Sequence, residues 1–286
     1  MQGCGNDYIY VNSMKEPISQ AGEAAKRFSD RHFGIGADGL VLIAPSKKAD
    51  FLMSMYNADG SVGAMCGNGI RCLGKYVYEK GLTDKTSLRV ETKAGVRKLR
   101  LMVEEGVVTS VKVNMGVPKL LAKDIPAVSC LEMELDPWET ILQRKLSVLG
   151  QEYELTCISM GNPHAVVFLP NQAGADCELA LNRLPLERLG PAISSHPMFS
   201  DGANVEFVQT VGAGRLRMRV WERGSKETLS CGTGACAAAV AGYLTGRCRY
   251  PLAVEQPGGT LRITVDSATN EIWMEGPAVT VFEGEL

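Results

Sequence analysis

Residues 51–81 read FLMSMYNADGSVGAMCGNGIRCLGKYVYEKG, and residues 216–246 read LRMRVWERGSKETLSCGTGACAAAVAGYLTG. Laid together without a gap they keep one offset, 231 minus 66, or 165 positions. Met53 falls on Met218, Tyr56 on Trp221, Cys66 on Cys231, Gly67 on Gly232, Gly69 on Gly234, Tyr78 on Tyr243 and Gly81 on Gly246. Each stretch opens with the alternation of a strand, over 51–56 and 216–221, and then passes through turn residues. Cys-Gly-x-Gly follows and leads into a helix of small or apolar residues that stops at a glycine.

Two further pairs keep the same order. FGIGADGLVLI from Phe33 matches FSDGANVEFVQ from Phe199, with Gly36 on Gly202, Ala37 on Ala203 and Asp38 on Asn204. GNDYIYV from Gly5 matches GNPHAVV from Gly161, at an offset that one loop insertion explains. Three ordered pairs mark a duplication. Short strands are expected elsewhere, at 87–90, 98–103, 107–114, 165–169, 261–265 and 271–275. The fold class is therefore α+β, with two homologous domains related by a pseudo-two-fold axis. Each is a strongly curved, mostly antiparallel, barrel-like sheet holding one central helix. A Gly-Val-Pro at 116–118 marks the boundary, and residues 121–151 have no counterpart in the first half.

The bulk numbers agree with a two-domain globular chain. At 286 residues, a prior of about 150 per domain gives two. The composition is 45% hydrophobic and 22% charged, with a formal charge of -2, so no net field draws in nucleic acid or a membrane surface. The longest nearly apolar run, 235–244, is about half of the roughly 20 residues that span a bilayer. No charged-then-apolar leader precedes Gly3, so export is not expected. Nine cysteines, an odd number in a long chain, argue against a disulfide framework. Cys66 and Cys72 are separated by five residues, Cys231 and Cys236 by four, and His32, His164 and His196 do not cluster. No metal site is read from that spacing. GIGADG from Gly34 lacks the spacing of a dinucleotide fingerprint and precedes a strand-like LVLI.

Each Cys-Gly-x-Gly turn has chemical meaning. A cysteine at a helix N-terminus feels the macrodipole and unpaired amides, which favour thiolate and lower its pKa. Glycines leave those amides open to a carboxylate. Two such turns in duplicated domains would bring a thiol to each face of one bound molecule. Inverting a stereocentre needs a base on one face and an acid on the other. Helix termini aimed at the substrate carboxylate would stabilise the charge that develops. Taken singly, each turn reads equally well as a helix cap over a buried thiol.

The blocks GNDYIYV, FGIGADGLVLI, NADGSVGAMCGNGIRC, SMGNPHAVVF, DGANVEFV and WERGSKETLSCGTGACA resemble the diaminopimelate epimerase family over almost the whole chain. The resemblance implies interconversion of LL- and meso-diaminopimelate for lysine and cell-wall precursors, without a cofactor or metal. Cys66 and Cys231 would be the proton-transfer pair. Asn6 would contact substrate near the reacting carbon, and the amides of Gly67, Asn68, Gly232 and Thr233 would hold its α-carboxylate. Asn57, Asn162, Asn204 and Arg223 match residues that bind the distal amino-acid group. His164 and Glu222 match residues that tune the cysteines, and Glu222 falls opposite Asn57 in the repeat. The resemblance also implies a final strand near 278–282 returning to the first domain. The expected domains are thus residues 1–117 with 277–286, carrying Cys66, and residues 118–276, carrying Cys231. The expected partner is the small-molecule substrate, with a homodimer possible and no nucleic acid or membrane. The expected compartment is the cytoplasm, or the plastid stroma in a photosynthetic eukaryote.

Departures are local: the chain starts inside the first strand-forming block, Gly39 stands where some members have glutamine, and Lys226 stands where many have glycine. Asn57, Asn162, Asn204, Arg223 and His164 each also have a plain reading as turn, surface or core residues. Rivals are a racemase for proline, hydroxyproline or histidine, a dithiol redox protein, and an inactive binding module. Proline-type members usually show histidine where this chain has Asn68, and redox pairs usually read C-x-x-C. Solvent deuterium uptake by a panel of amino acids separates the first rival, and a disulfide formed under oxidants would inactivate the expected enzyme.

Overall fold

A computed structural model describes residues 1–15, 17–131, 134–170 and 180–285. The chain divides into two compact units, Met1–Asn114 with Glu275–Leu286, and Met115–Met274.

The first unit begins with a tight hairpin of β1 (Gln2–Gly3) and β2 (Asn6–Asp7). Strand β3 (Ile9–Asn12) lies parallel to β4 (Gly39–Ala44), which runs antiparallel to β5 (Phe51–Asn57). β5 carries the short β6 (Val62–Gly63) on one side and pairs parallel with β7 (Ser87–Thr92). β8 (Gly95–Glu104) and β9 (Val107–Gly116) complete an antiparallel meander from β7. A parallel pair needs a crossover, and between β5 and β7 that crossover contains helix α2 (Gly67–Glu79). The other helix of this unit, α1 (Ala21–Ser29), packs on β4 and β5.

The second unit repeats the pattern. β10 (Arg144–Val148), β11 (Gln151–Ser159) and β12 (Pro163–Phe168) are antiparallel neighbours. β12 then pairs parallel with β13 (Asn204–Gly212), as β3 does with β4. β13 runs antiparallel to β14 (Arg215–Glu222), which carries the short β15 (Lys226–Thr228) and pairs parallel with β16 (Leu252–Gln256). β16 pairs with β17 (Gly259–Val265), and β18 (Ile272–Gly276) follows. Helix α3 (Leu186–Ser194) packs on β10, β13, β14 and β15. Between β14 and β16 the crossover contains helix α4 (Gly232–Leu244). The α+β class, with mostly antiparallel strands and one crossover helix recurring in each unit, is the architecture found.

The two crossover helices earn their central places differently. In α4, residues Ala235, Cys236, Ala237, Ala238, Ala239 and Ala241 are fully buried, and the helix touches β11, β12, β13, β14, β16 and β17. Apolar all round, it is buried all round until its last two residues, Tyr243 and Leu244, which are exposed. Its small side chains let strands approach from every side; a Cβ at Gly242 would lie 2.7 Å from Cys248 Sγ. In α2, by contrast, Ile70, Cys72, Leu73 and Val77 face the core, yet Arg71 is fully buried as well. Arg71 Nε donates to Pro277 O at 3.0 Å, and Nη1 donates to Asn68 Oδ1 at 2.9 Å and Gly67 O at 3.3 Å. Both helices end as their glycines dictate, in left-handed backbone at Gly81 (φ 67°) and Gly246 (φ 69°).

Two expectations change. Residues 278–282 form no strand: β18 stops before Pro277, which has no N–H to offer. Beyond it, among the described residues, only Val279 bridges, exchanging two 2.9 Å hydrogen bonds with Gln2. The 121–151 segment, left without a role, supplies core and an outer strand to the second unit. Ala122, Ile125, Ala127, Leu135, Ile141, Leu146 and Val148 join one buried cluster with β11, β12, α3 and β13. Among the described residues, no helix is long and apolar enough to cross a membrane.

Candidate active site

Cys66 and Cys231 occupy the same local position, each the N-cap of its crossover helix. Their backbones match, φ -124°, ψ 121° and φ -122°, ψ 113°. Each sulfur accepts from the amide three residues on, Gly69 N and Gly234 N, both at 3.3 Å. The first intrahelical bonds are Ile70 N to Cys66 O and Ala235 N to Cys231 O, both 2.9 Å. The Gly67–Asn68 and Gly232–Thr233 amides thus lie at the positive helix ends, where anions bind. Neither Cys66 nor Cys231 is in a disulfide.

Around Cys66 the first unit builds a polar chain. The thiol donates to Asn6 Oδ1 at 3.1 Å, and Asn6 Nδ2 donates to Asp38 Oδ2 at 2.7 Å. Asp38 also accepts from Asp7 N at 3.1 Å. Arg31 joins both carboxylates, at 2.7 Å to Asp7 Oδ1 and 3.0 Å to Asp38 Oδ1. Partial burial works against the Asp7 carboxylate, but the Arg31 guanidinium holds it below the usual range. Buried Tyr8 faces the same sulfur; burial first, then Cys66 and Asp38, push its phenol up. Asn68 is buried and its side chain turns to Arg71. Asn57 closes β5 and donates to Ser61 Oγ at 2.9 Å, across the turn that follows.

Around Cys231 the second unit does the same with different chemistry. Cys231 N donates to Gln256 Oε1 at 2.8 Å, and Sγ lies 3.4 Å from Thr233 Oγ1. Thr233 Oγ1 accepts from Asn162 Nδ2 at 3.3 Å. Asn162 Oδ1 is 3.1 Å from His164 Nε2, and His164 Nδ1 is 2.7 Å from Glu206 Oε1. Glu222, at the end of β14, accepts from Thr228 Oγ1 at 2.6 Å. Burial, more than the opposing Thr228 hydrogen bond, pushes its carboxyl up. Asn204 Oδ1 accepts from Arg223 N at 3.1 Å. Arg223 itself is exposed and donates through Nη1 to Asp201 O at 2.8 Å.

The expected lowering of the thiol is reversed at Cys231. Burial, then the Glu222 and Glu206 carboxylates, push it well above the usual thiol range. Thr233 and the Gly234 amide pull the other way and lose. One helix terminus supplies about half a unit charge, whereas desolvation and two nearby anions all favour the neutral thiol.

Sequence reasoning passed over Asp7, Arg31, Asp38, Tyr8 and Glu206. The repeat held a signal for two of them, since Asp38 falls on Asn204 and Tyr8 on His164. For Glu206 the signal was a lone charge inside the apolar run Val205, Phe207, Val208.

The family model described as diaminopimelate epimerase matches residues 1–121 and 156–281. This chain belongs to the diaminopimelate epimerase family. Among its relatives, the "Diaminopimelate epimerase" of Acetivibrio thermocellus is 48% identical over 287 aligned positions, covering 100% of this chain and 96% of the relative. That of Desulfovibrio desulfuricans is 49% identical, with 100% and 96% covered. That of Methanococcus maripaludis C5 is 47% identical, with 100% and 98% covered. The fold extends further. A phenazine biosynthesis protein of the PhzF family from Bacillus anthracis superposes with a TM-score of 0.64 at 18% identity, covering 100% of this chain and 95% of the other. A hydroxyproline epimerase from Agrobacterium vitis superposes with a TM-score of 0.60 at 16% identity, covering 98% and 89%.

Proposed function

We propose that the protein interconverts LL- and meso-2,6-diaminopimelate without a cofactor, using Cys66 and Cys231 as proton-transfer groups on opposite faces of the α-carbon. The reading is carried by one observation: the two cysteines cap their helices with the same backbone and the same thiol–amide bond. Family membership supports the substrate, and with it we read the product as a supply for lysine and cell-wall precursors.

In this mechanism a thiolate takes the α-proton and the electron pair remains on the substrate. The amides of Gly67, Asn68, Gly232 and Thr233 stabilise the charge that moves onto the carboxylate. The opposite thiol then delivers its proton, so the two sulfurs end with their protonation exchanged. The raised Cys231 rests as the thiol, which suits it to be the acid in the first half-turn. Asn6 steadies Cys66, and Asn57, Asn162, Asn204, Glu222 and Arg223 are assigned to the distal amino and carboxylate groups, with the arginine as the carboxylate's fork. His164 and Glu222 set the electrostatics near Cys231.

The experiment is an epimerisation assay on LL-diaminopimelate in D2O under reducing conditions, with no cofactor added. The expected result is meso product carrying solvent deuterium at the inverted carbon. Absence of inversion, with proline, hydroxyproline or histidine exchanging instead, sinks the substrate assignment.

A further inference from the structure

Glu206 lies within β13 between Val205 and Phe207, and it is fully buried. A carboxylate there is costly unless something on the inside holds it. Its Oε1 is 2.7 Å from His164 Nδ1, and His164 is fully buried too. An ionised carboxylate only accepts, so Nδ1 carries the proton. On the other side of the ring Nε2 donates to Asn162 Oδ1 at 3.1 Å, because an amide oxygen only accepts, so in this arrangement both ring nitrogens carry a proton. The orientation of that amide is set from its far end, where Nδ2 donates to Thr233 Oγ1 at 3.3 Å. Thr233 Oγ1 in turn sits 3.4 Å from Cys231 Sγ. Every link joins residues of the second unit.

The carboxylate also presses on the turn that presents the sulfur. A Cβ on Gly234 would stand 2.6 Å from Glu206 Oε1 and 3.3 Å from Cys231 Sγ. Gly234 is the residue whose amide donates to that sulfur. Glu206 therefore meets the Cys231 cap in two ways, directly at Gly234 and through three side chains. Glu206 itself has no role in the proton transfer proposed for the two cysteines.

We propose that Glu206 is a positioning residue for Cys231: it fixes the His164 ring through Nδ1, and His164 holds Asn162 so that the Thr233 hydroxyl stays against the sulfur. The proposal rests on Cys231 being a reacting group. Its tests read the thiol and the imidazole themselves, so they stand apart from the choice of substrate. A buried Glu–His pair that merely satisfied two polar groups would not couple to the sulfur through Asn162.

The first test needs no variant. In protein labelled with nitrogen-15 at histidine, the buried His164 is expected to show both ring nitrogens protonated; an unprotonated Nδ1 or Nε2 removes a link and overturns the proposal. The second test compares alkylation of Cys231 with that of Cys66 in the same molecules by iodoacetamide and mass mapping. Wild type, Glu206→Gln, Asn162→Ala and the double variant form a cycle. Glu206→Gln is expected to change the Cys231-to-Cys66 rate ratio by at least about twofold, and the change is expected to vanish when Asn162 is already alanine. An unchanged ratio, or the same change in both backgrounds, overturns the relay. Should Glu206→Gln not fold, the imidazole measurement decides. A coupled thiol ratio in a protein that leaves diaminopimelate untouched would uphold Glu206 and sink the substrate reading instead.

Discussion

The Cys66 thiol donates to Asn6 Oδ1 at 3.1 Å, so the group assigned to proton transfer is already aimed before substrate arrives. Asn6 cannot rotate away while Asp38 Oδ2 holds its Nδ2 at 2.7 Å. Asp38→Ala is expected to lower kcat by about 10- to 100-fold, the usual cost of losing alignment in a reacting group. Steady-state kinetics with diaminopimelate checks it. Wild-type kcat in that variant would show that Asn6 needs no support.

Replacing either sulfur tests the two-base reading itself. Cys66→Ala and Cys231→Ala are each expected to reduce turnover by at least the roughly 10²–10⁴-fold typical of a general acid or base. Activity near wild type in either variant ends the account. Far-ultraviolet circular dichroism separates lost chemistry from lost structure.

The raised Cys231 thiol predicts a pH dependence with a definite sign. The folded state holds this proton more tightly than the unfolded chain, whose thiols titrate near about 8.5. The stabilisation is therefore full below that value and is lost as pH rises toward the folded-state value. Burial pushes Cys248 up to about 11 and so adds to the same loss. Urea midpoints are expected to fall between about pH 8.5 and 10.5, with a shallower fall in Cys231→Ala. An identical slope in that variant would exclude Cys231 as a contributor.

Gly234 has no room for a methyl group, because its Cβ would meet the buried Glu206 carboxylate at 2.6 Å. Gly234→Ala is expected to cost about 1–3 kcal/mol, the range for forced overpacking. Denaturant unfolding measures it, and a loss below about 0.5 kcal/mol would mean the turn yields freely.

Lys226 sits in left-handed backbone, φ 63°, just after the turn from β14. Lys226→Gly removes a strain of about 1 kcal/mol and gives back part of it as chain entropy. A small rise in thermal midpoint is expected; a fall would show that the lysine side chain is itself a useful contact.

Much of the fold was legible because the duplication is written in glycines and cysteines. Cys66, Gly69 and Gly81 each recur at the shared offset. Such residues mark backbone geometry that few others adopt: a cap, a close approach, a left-handed stop. The strands at 51–56 and 216–221 showed through alternation and were found as β5 and β14. The role of residues 121–151 did not show, since that segment has no partner in the repeat and packs partly through irregular chain ahead of β10. Cys231 shows the limit at the site. Its helix position was readable, but the sign of its shift depends on how far burial and two carboxylates outweigh one helix end. Glu206 reaches it from a strand that is remote in sequence and adjacent only after folding.

The alanine-rich spindle of α4 sets how Cys231 can travel. A sulfur mounted on a rod wedged among six strands has only its own χ1 torsion to spend locally. Any larger excursion must carry the surrounding strands along, so tuning of its reach falls to the stiffness of the whole unit, and no hinge beside the cysteine can supply it.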